Sequence, residues 1–394
     1  MYFNNPKMKS KDLITYLLFL VSLIMLSCSH TDRQNNILKY IKIGETIFDF
    51  RSLNYDVAEI IYTDSLTVFF DDKDQALYYF YRNGGDLLNK LNFQNLEKEG
   101  IEEISSVFIH SKDTIFLGRL GYFGIYQINS LGERIGRWDF DFSLPLEVHN
   151  GYYSGTFGLG GISRYGVGMY YNDKLGLLTD FHPIVFDQEN SFPYLYRIPT
   201  LAQMRINKLN EISPFGNYPS DYFGRKIPHD LFTSFAVNDS LVYINWPSSS
   251  EITIVNMKSF QESFVKMKSN FLGKNEFIYY SSKDAGEVNS FWNDHNEKGQ
   301  YVKLIVDSTN GSIYRIAKHK NKNSEIKLDF LESKWSIVKY DKEMKPLGEA
   351  IFEPGKFNFM LTYVENDTIF LSTMNPYNTG INEDLYIIEK YILK

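Results

Sequence analysis

After Cys28 the chain contains no further cysteine. A disulfide framework needs an even set of thiols and a thiolate-ligated zinc needs clustered ones, so neither can hold the rest of the chain together. Proline and glycine are sparse, 12 and 26 in 394 residues, which excludes collagen-like and low-complexity architectures. Basic residues do not gather into a stripe. The densest cluster, Lys318-His319-Lys320-Asn321-Lys322, is short and reads as a solvated loop. With a net charge of −7 the chain has no electrostatic footprint for DNA or RNA, and no nucleic-acid partner is expected. The usual catalytic signatures are also missing. There is no Gly-x-Ser-x-Gly elbow and no His-Glu-x-x-His pair. The glycine-rich stretch 151–168 lacks the Lys-Ser/Thr that a phosphate loop requires, and suits tight turns and close strand packing instead. No catalytic residue, cofactor or metal ligand is assigned. What the chain does have is strand formers, with 31 Phe, 29 Tyr and 43% hydrophobic residues overall, enough to build a core without covalent staples.

The first residues are of a different kind. Lys7, Lys9 and Lys11 precede an apolar run from Leu13 to Leu26, broken only by Thr15 and Ser22. A run of about 14 residues is short of the roughly 20 that a spanning helix needs. A positive start followed by a short apolar segment describes an export signal. Residues 1–27 are therefore expected to be a signal peptide, 28–38 a tether and 39–394 the folded domain. Taking the leader's net +2 from −7 leaves the remainder near −9.

Within the folded part a short pattern recurs after apolar runs. It reads Asp64-Ser65-Leu66, Asp113-Thr114-Ile115, Asp239-Ser240-Leu241 and Asp367-Thr368-Ile369, with weaker copies at Asn172-Asp173-Lys174 and at 307–311. Apolar run, polar turn and apolar run make a β-hairpin, and Asp and Asn suit the turn because they bond their own backbone and tolerate left-handed angles. The turns are spaced by 49, 60, 66, 68 and 60 residues. Units of four strands at roughly 40–50 residues mark a β-propeller. The longer spacing implies insertions, placed at about 187–230 and 270–299. The fourth unit predicts strands at 231–237, 240–246, 251–257 and 261–267. The fifth predicts strands at 301–306, 311–317, 335–340 and 348–352. Within the first insertion, Leu201, Met204, Ile206 and Leu209 suggest a short helix over 200–212.

The last unit shows only three strands, at 357–364, 368–374 and 385–391, before the chain ends. Two apolar runs, 40–43 and 46–50, precede the first unit. An early strand is thus expected to complete the last blade, which removes the exposed sheet edges of an open ring. The fold class is all-β: a six-bladed β-propeller closed by an N-terminal strand, with seven or eight blades as the alternative.

Ser27-Cys28 at the end of the apolar run resembles the lipobox of bacterial lipoproteins. With the repeated turns and the shared closing blade, the chain resembles the TolB-like six-bladed propeller lipoproteins of Bacteroidota, among them a family of unknown function. The resemblance implies lipidation of Cys28 and a membrane partner through that anchor. Only Asp32 follows the cysteine where the family's surface-export signal is an acidic cluster, which implies an outer-membrane lipoprotein facing the periplasm. The Asp-Ser/Thr-apolar turns also resemble the phylum's O-glycosylation acceptors, with Ser65, Thr114, Ser240 and Thr368 as candidate sites. If sugars mark the turn face, the opposite face is the one left open. Its loops carry Asp71, Asp72, Arg119, Tyr122, Trp246, His319, Asn375 and Tyr377, aromatic planes beside amides and carboxylates, suited to a glycan, a peptide or a partner protein. The expected function is binding without catalysis. The alternative is a propeller glycan hydrolase or lyase working through rim carboxylates.

Overall fold

The computed structural model describes residues 37–51, 57–93, 96, 101, 104–119, 124–139, 142–148, 151–160, 168–183, 198–205, 212–222, 233–272, 296–320, 330–382 and 384–394. Cys28 and the leader lie outside them. The chain folds into six antiparallel sheets, and each is one blade. Strand β1, Tyr40–Asp49, comes first in sequence but belongs to the last blade. Blade 1 follows as β2 (Val57–Tyr62), β3 (Leu66–Asp71), β4 (Ala76–Tyr81) and β5 (Leu87–Asn92). Blade 2 is β6 (Ile104–Ser111), β7 (Thr114–Arg119), β8 (Gly124–Ile128) and β9 (Arg134–Asp139). Blade 3 carries a hairpin, β10 (Phe142–Val148) and β11 (Gly151–Gly160), ahead of its four strands β12 (Met169–Asn172), β13 (Gly176–Pro183), β14 (Leu201–Met204) and β15 (Ile212–Phe215). Blade 4 is β16 (Ser234–Asn238), β17 (Leu241–Asn245), β18 (Glu251–Asn256) and β19 (Gln261–Lys266). Blade 5 is β20 (Gln300–Val306), β21 (Ile313–Lys318), β22 (Trp335–Tyr340) and β23 (Pro346–Phe352). Blade 6 is β24 (Asn358–Glu365), β25 (Thr368–Ser372) and β26 (Leu385–Leu393), to which β1 adds the outer strand.

All six repeated turns join the first strand of a blade to its second, as the sequence pattern predicts. Local chemistry explains their composition. In blade 6 the loop is Asn366-Asp367 and both residues have positive φ, 51° and 56°, the requirement of a two-residue hairpin whose twist matches its strands. In blade 3 the turn ends at Gly176, with φ +78°; a Cβ there would lie 2.4 Å from the Met204 carbonyl oxygen, so only glycine fits.

The second and third strands of a blade are covered on both faces, which is why β3 reads Leu-Thr-Val-Phe-Phe-Asp with no polar alternation and is buried from Thr67 onward. Among the described residues the core is six interblade clusters, one between each pair of neighbouring blades, with a smaller seventh group of Leu272, Tyr301 and Ala317 at blade 5. Val68, Leu77, Val107 and Leu117 join blades 1 and 2. Phe116, Trp138, Met169 and Leu177 join blades 2 and 3. Leu178, Phe215, Val242 and Trp246 join blades 3 and 4. Tyr243, Ile254, Leu304 and Val338 join blades 4 and 5, and Tyr314, Trp335, Phe359 and Leu371 join blades 5 and 6. The sixth cluster closes the ring, and strand β1 supplies Phe48 and Phe50 to it.

The helix expected over 200–212 does not form among the described residues of that stretch. Among the described residues of that stretch are β14 and β15, the third and fourth strands of blade 3, so the region read as an excursion holds half a blade. Leu201, Ala202 and Met204 are buried together because β14 is covered on both faces. A short apolar run of that kind carries no period by which helix and strand can be told apart. The addition to this blade lies earlier, as β10 and β11. β11 pairs with the far half of β13, at 180–183, while β12 pairs with the near half, 176–179.

Strand β1 pairs antiparallel with β26 from Tyr40↔Leu393 to Asp49↔Leu385, with a bulge that leaves Ile43 extra. The two apolar runs read from the sequence are thus one strand. Phe50 stacks on Phe80 of blade 1 at 5.2 Å, and Tyr40 stacks on Phe352 of blade 5 at 4.5 Å. Across the joint, Glu389 on β26 accepts from Lys42 of β1 at 2.7 Å, from Lys356 at 2.7 Å and from Tyr391 at 2.5 Å. Burial alone would raise its carboxyl, but these three donors outweigh it and hold it down at about 2.

Two outcomes are expected. Deleting residues 37–50 bares the β26 edge, and size-exclusion chromatography should show oligomers and a lower melting temperature; an unchanged monomer would contradict ring closure by β1. Because the folded-state value for Glu389 lies below its ordinary 4.5, its stabilising effect is complete above that pH and is lost as pH falls towards 2. Melting temperature should therefore drop through that window in wild type more steeply than in Glu389→Gln, and parallel curves would refute the assignment.

Candidate functional site

The loops between second and third strands were expected to form an open binding face. Four of their candidate residues instead hold their own loops together. Asp71 is buried, and its Oδ1 accepts the backbone N–H groups of Lys73 at 2.9 Å and Asp74 at 2.8 Å, while Oδ2 has no partner. Burial pushes this carboxyl up. Trp246 is buried, lies 4.4 Å from the Tyr218 ring and donates Nε1–H to Thr253 at 2.9 Å. Asn375 donates to the carbonyls of Leu331 and Phe357 and accepts from the Tyr377 N–H. His319 is buried with Nε2 2.8 Å from Ser336 Oγ, and its ring stacks on Phe271. These side chains do not line an open face. Asp72 and Tyr377 are exposed, Tyr377 at 40%. Arg119 ends β7, and Tyr122 lies outside the described residues. Of the turn hydroxyls, Ser65 is exposed and Thr114, Ser240 and Thr368 are half-buried.

His319 belongs to a chain that resembles catalytic machinery and is wired differently. Ser336 Oγ donates to Glu349 Oε1 at 2.5 Å, and Glu349 also accepts from Ser269 Oγ at 2.6 Å and the Asn270 N–H at 2.7 Å. The order is His, Ser, Glu. A nucleophilic triad needs the imidazole between hydroxyl and carboxylate, so that it can take the hydroxyl proton. Here the serine proton is committed to the carboxylate. Burial, together with Lys334 and Lys318, pulls the imidazole down to about 4, which leaves it neutral at ordinary pH. The cluster ties the segment after blade 4 to β22 and β23 of blade 5.

Arg315 on β21 fastens the same two blades. It is fully buried, and its guanidinium donates to Asn245 Oδ1 at 2.8 Å and to the carbonyls of Met267, Trp246, Ser249 and Glu251. It also lies 3.5 Å over the Tyr301 ring. Burial lowers it to about 10, still cationic in neutral solution. Only a guanidinium offers enough donors in one plane to bind so many carbonyls.

The site that remains is axial. A cavity of about 290 Å³ runs between the inner strands, with walls from β2, β6, β12, β16, β20 and β24. Most of its lining is apolar or aromatic, including Ile60, Phe108, Tyr170, Phe235, Leu304 and Met360. Among the described lining residues two are charged, Glu59 of blade 1 and Lys303 of blade 5. They occupy corresponding places. Each follows a bulge in the inner strand, at Val57/Glu59 and Tyr301/Lys303, and each sits four residues before the start of its turn at Thr63 and Asp307. Lys303 Nζ donates to the carbonyls of Met360 at 3.1 Å and Thr362 at 3.0 Å, both on the neighbouring inner strand β24. Glu59 accepts from the Val107 N–H of β6. Both are half-buried at the cavity wall. Burial pushes the Glu59 carboxyl up to about 7, against the opposing effects of Lys303 and the Val107 N–H. Burial brings the Lys303 ammonium down to about 8, against the opposing effect of Glu59.

The sequence reading missed this pair. Its signal was a single charge inside each of two apolar inner strands, Val-Ala-Glu-Ile-Ile and Tyr-Val-Lys-Leu-Ile. Among the described residues no group of three or more His, Cys, Asp or Glu could hold a metal ion, and no helix is long and apolar enough to cross a membrane.

No family model matches the sequence, and no curated protein matches it. Solved structures do match. A member of the DUF4221 family from Bacteroides vulgatus superposes with a TM-score of 0.69 at 14% identity, over 92% of this chain and 99% of its own. A Bacteroides fragilis protein whose name marks it as a candidate for export superposes with a TM-score of 0.52 at 13% identity, over 93% and 98%. At these identities the likeness is one of fold.

Carboxyl-detected NMR should place the Glu59 titration near pH 7. Because the Lys303 charge holds it down, Lys303→Met should move the midpoint higher. A midpoint near 4.5, or one indifferent to Lys303, would show that the two do not share an enclosed site.

Proposed function

We propose that this protein is a binding propeller of the bacterial envelope, tethered through a lipid on Cys28 and facing the periplasm, which holds a small ligand in its axial cavity. The observation that carries the reading is the cavity, walled by all six blades and lined by apolar side chains with one acid and one base. Ligand pockets usually start at roughly 300 Å³, so a space of about 290 Å³ suits a small molecule or the end of a chain rather than the body of a glycan or a peptide. Binding sits better here than hydrolysis of a glycan. Two-carboxylate mechanisms need a second acid across the bond, and among the described lining residues Glu59 is the single carboxylate. The export-type leader and the lipobox-like Ser27-Cys28 support the envelope location, and the name of the Bacteroides fragilis structure accords with it. Ser65, the most open of the turn hydroxyls, is the first place to look for an attached sugar.

The test is recovery of the protein from the envelope of its native host, followed by mass measurement of the intact chain and of whatever denaturation releases. A chain beginning at an acylated Cys28 and a released small molecule are expected. Ala236→Trp, which fills the cavity from β16, should abolish the released molecule and keep the lipid. A retained leader would refute the anchor. A released molecule unaffected by Ala236→Trp would refute the axial site.

A further inference from the structure

Resting on the axial cavity as the binding site, we propose that its ligand is a small zwitterion with an apolar substituent, its cationic end at Glu59 and its anionic end at Lys303. The two side chains stand on blades 1 and 5, with blade 6 between them, and no ion pair joins them. Each leans away from the other, Glu59 on the Val107 N–H of blade 2 and Lys303 on two carbonyls of blade 6. Each keeps unused capacity. An ammonium has three donors and Lys303 has placed two, while a carboxylate offers about four acceptor sites and Glu59 has filled one.

Charges enclosed by apolar walls are costly unless matched by opposite charge or by hydrogen bonds. A cationic ligand would satisfy Glu59 and add repulsion at Lys303; an anionic one would do the reverse. A molecule carrying both charges meets both groups at once and leaves the cavity neutral. The remaining lining then decides the substituent. Ile60, Phe235, Leu304 and Met360 offer apolar surface, and a polar substituent would lose its water without compensation. The size of the cavity limits the whole to something like a free apolar amino acid.

The position of the pair speaks for a built site. A β-bulge re-aims a side chain and is often found beside functional sites. Blades 1, 2 and 5 all carry such a bulge early in the inner strand, before Glu59, Ser106 and Lys303, so the position recurs in this fold, and in blades 1 and 5 it is filled by charges of opposite sign.

Calorimetric titration of the full folded domain should use L-leucine, L-phenylalanine and L-methionine as zwitterions. N-acetyl-L-leucine serves as the anion alone, leucinamide as the cation alone, and isocaproamide as the neutral isostere. At least one zwitterion is expected to bind, and more tightly than its singly charged or neutral relatives. Glu59→Gln and Lys303→Met should each weaken it by roughly thirtyfold or more, the scale of unpairing a buried charge. Glu59→Gln should spare N-acetyl-L-leucine, and Lys303→Met should spare leucinamide, which shows that each variant still folds. If isocaproamide binds as tightly as leucine and Ala236→Trp excludes it, the charge assignment is overturned while the axial site stands. If no probe binds, both are overturned.

Discussion

Closing a ring of sheets is a problem of edges. Each blade ends in an outer strand whose free backbone groups face solvent, and a blade lacking that strand leaves its third strand bare. Here the bare strand would be β26, whose inward residues Tyr386 and Ile388 are core. Strand β1 covers it through an antiparallel ladder nine residues long at the partners' count from Tyr40 to Asp49, with Ile43 set aside by the bulge. The same strand reaches three blades: hydrogen bonds to blade 6, Phe48 and Phe50 into the cluster with blade 1, and Tyr40 onto Phe352 of blade 5. Contacts between the first and last thirds of the chain carry the largest loop-closure cost, which falls once the blades between them have formed. Closure therefore depends on the other five joints, and in turn fixes the spacing of the six inner strands that wall the cavity.

Those other joints are not alike, and the differences follow the sequence. Blades 1, 2 and 3 meet chiefly through apolar clusters, supplemented by Gln75 bonding both the carbonyl and the N–H of Ile104. Blades 4 and 5 are joined by Arg315 and Glu349, buried groups that each make several hydrogen bonds. Removing either would strand several partners, at a cost of several kcal/mol. Blades 5 and 6 are latched at the turn end. There Asp307 accepts the Asp367 N–H at 2.7 Å, and Asp367 accepts from Tyr314 at 2.6 Å and pairs with Lys339 at 2.9 Å. Between blades 6 and 1, Tyr62 and Tyr363 stack at 4.1 Å, and Arg82 covers both rings while pairing with Glu365. The aspartates of the repeated turns thus serve packing between blades as well as turn geometry.

Much of this architecture was legible before any coordinates. Four Asp-Ser/Thr turns and two weaker copies marked the six hairpins because their chemistry is local. The range 335–340 matched β22 to the residue, since Lys334 and Asp341 flank a run rich in aromatic and β-branched residues, Trp335, Ile337, Val338 and Tyr340. The missing outer strand of blade 6 and the unassigned apolar runs at 40–50 pointed to each other by simple count. Blade 3 was harder. Its strands β14 and β15 have four residues each, too few to show a period, and Leu201 and Met204 fall three apart as they would on a helix. The rim was misread for another reason. Asp71, Trp246, His319 and Asn375 were assigned by position in loops, but a loop buries the polar groups that satisfy its own backbone, and nothing in the sequence separates a loop's internal staples from its outward groups.

The axial pair joins fold to function. Side chains alternate along a strand, and one extra residue reverses the facing of everything on one side of it. After the bulge before Glu59 the register runs unbroken to the turn, from Glu59↔Phe70 to Tyr62↔Thr67, so Glu59 shares its facing with Ile61 and alternates with Ile60 and Tyr62. Lys303 stands in the same relation to Leu304 and Ile305. Two charged side chains thus reach the channel from strands whose other residues build the interblade cores. A fold assembled only for stability would gain by replacing both with apolar residues, since neither neutralises the other directly and burial opposes both charges. Their presence at matched depth, with opposite sign and unfilled hydrogen-bonding capacity, is accounted for by an occupant that brings the missing charges with it.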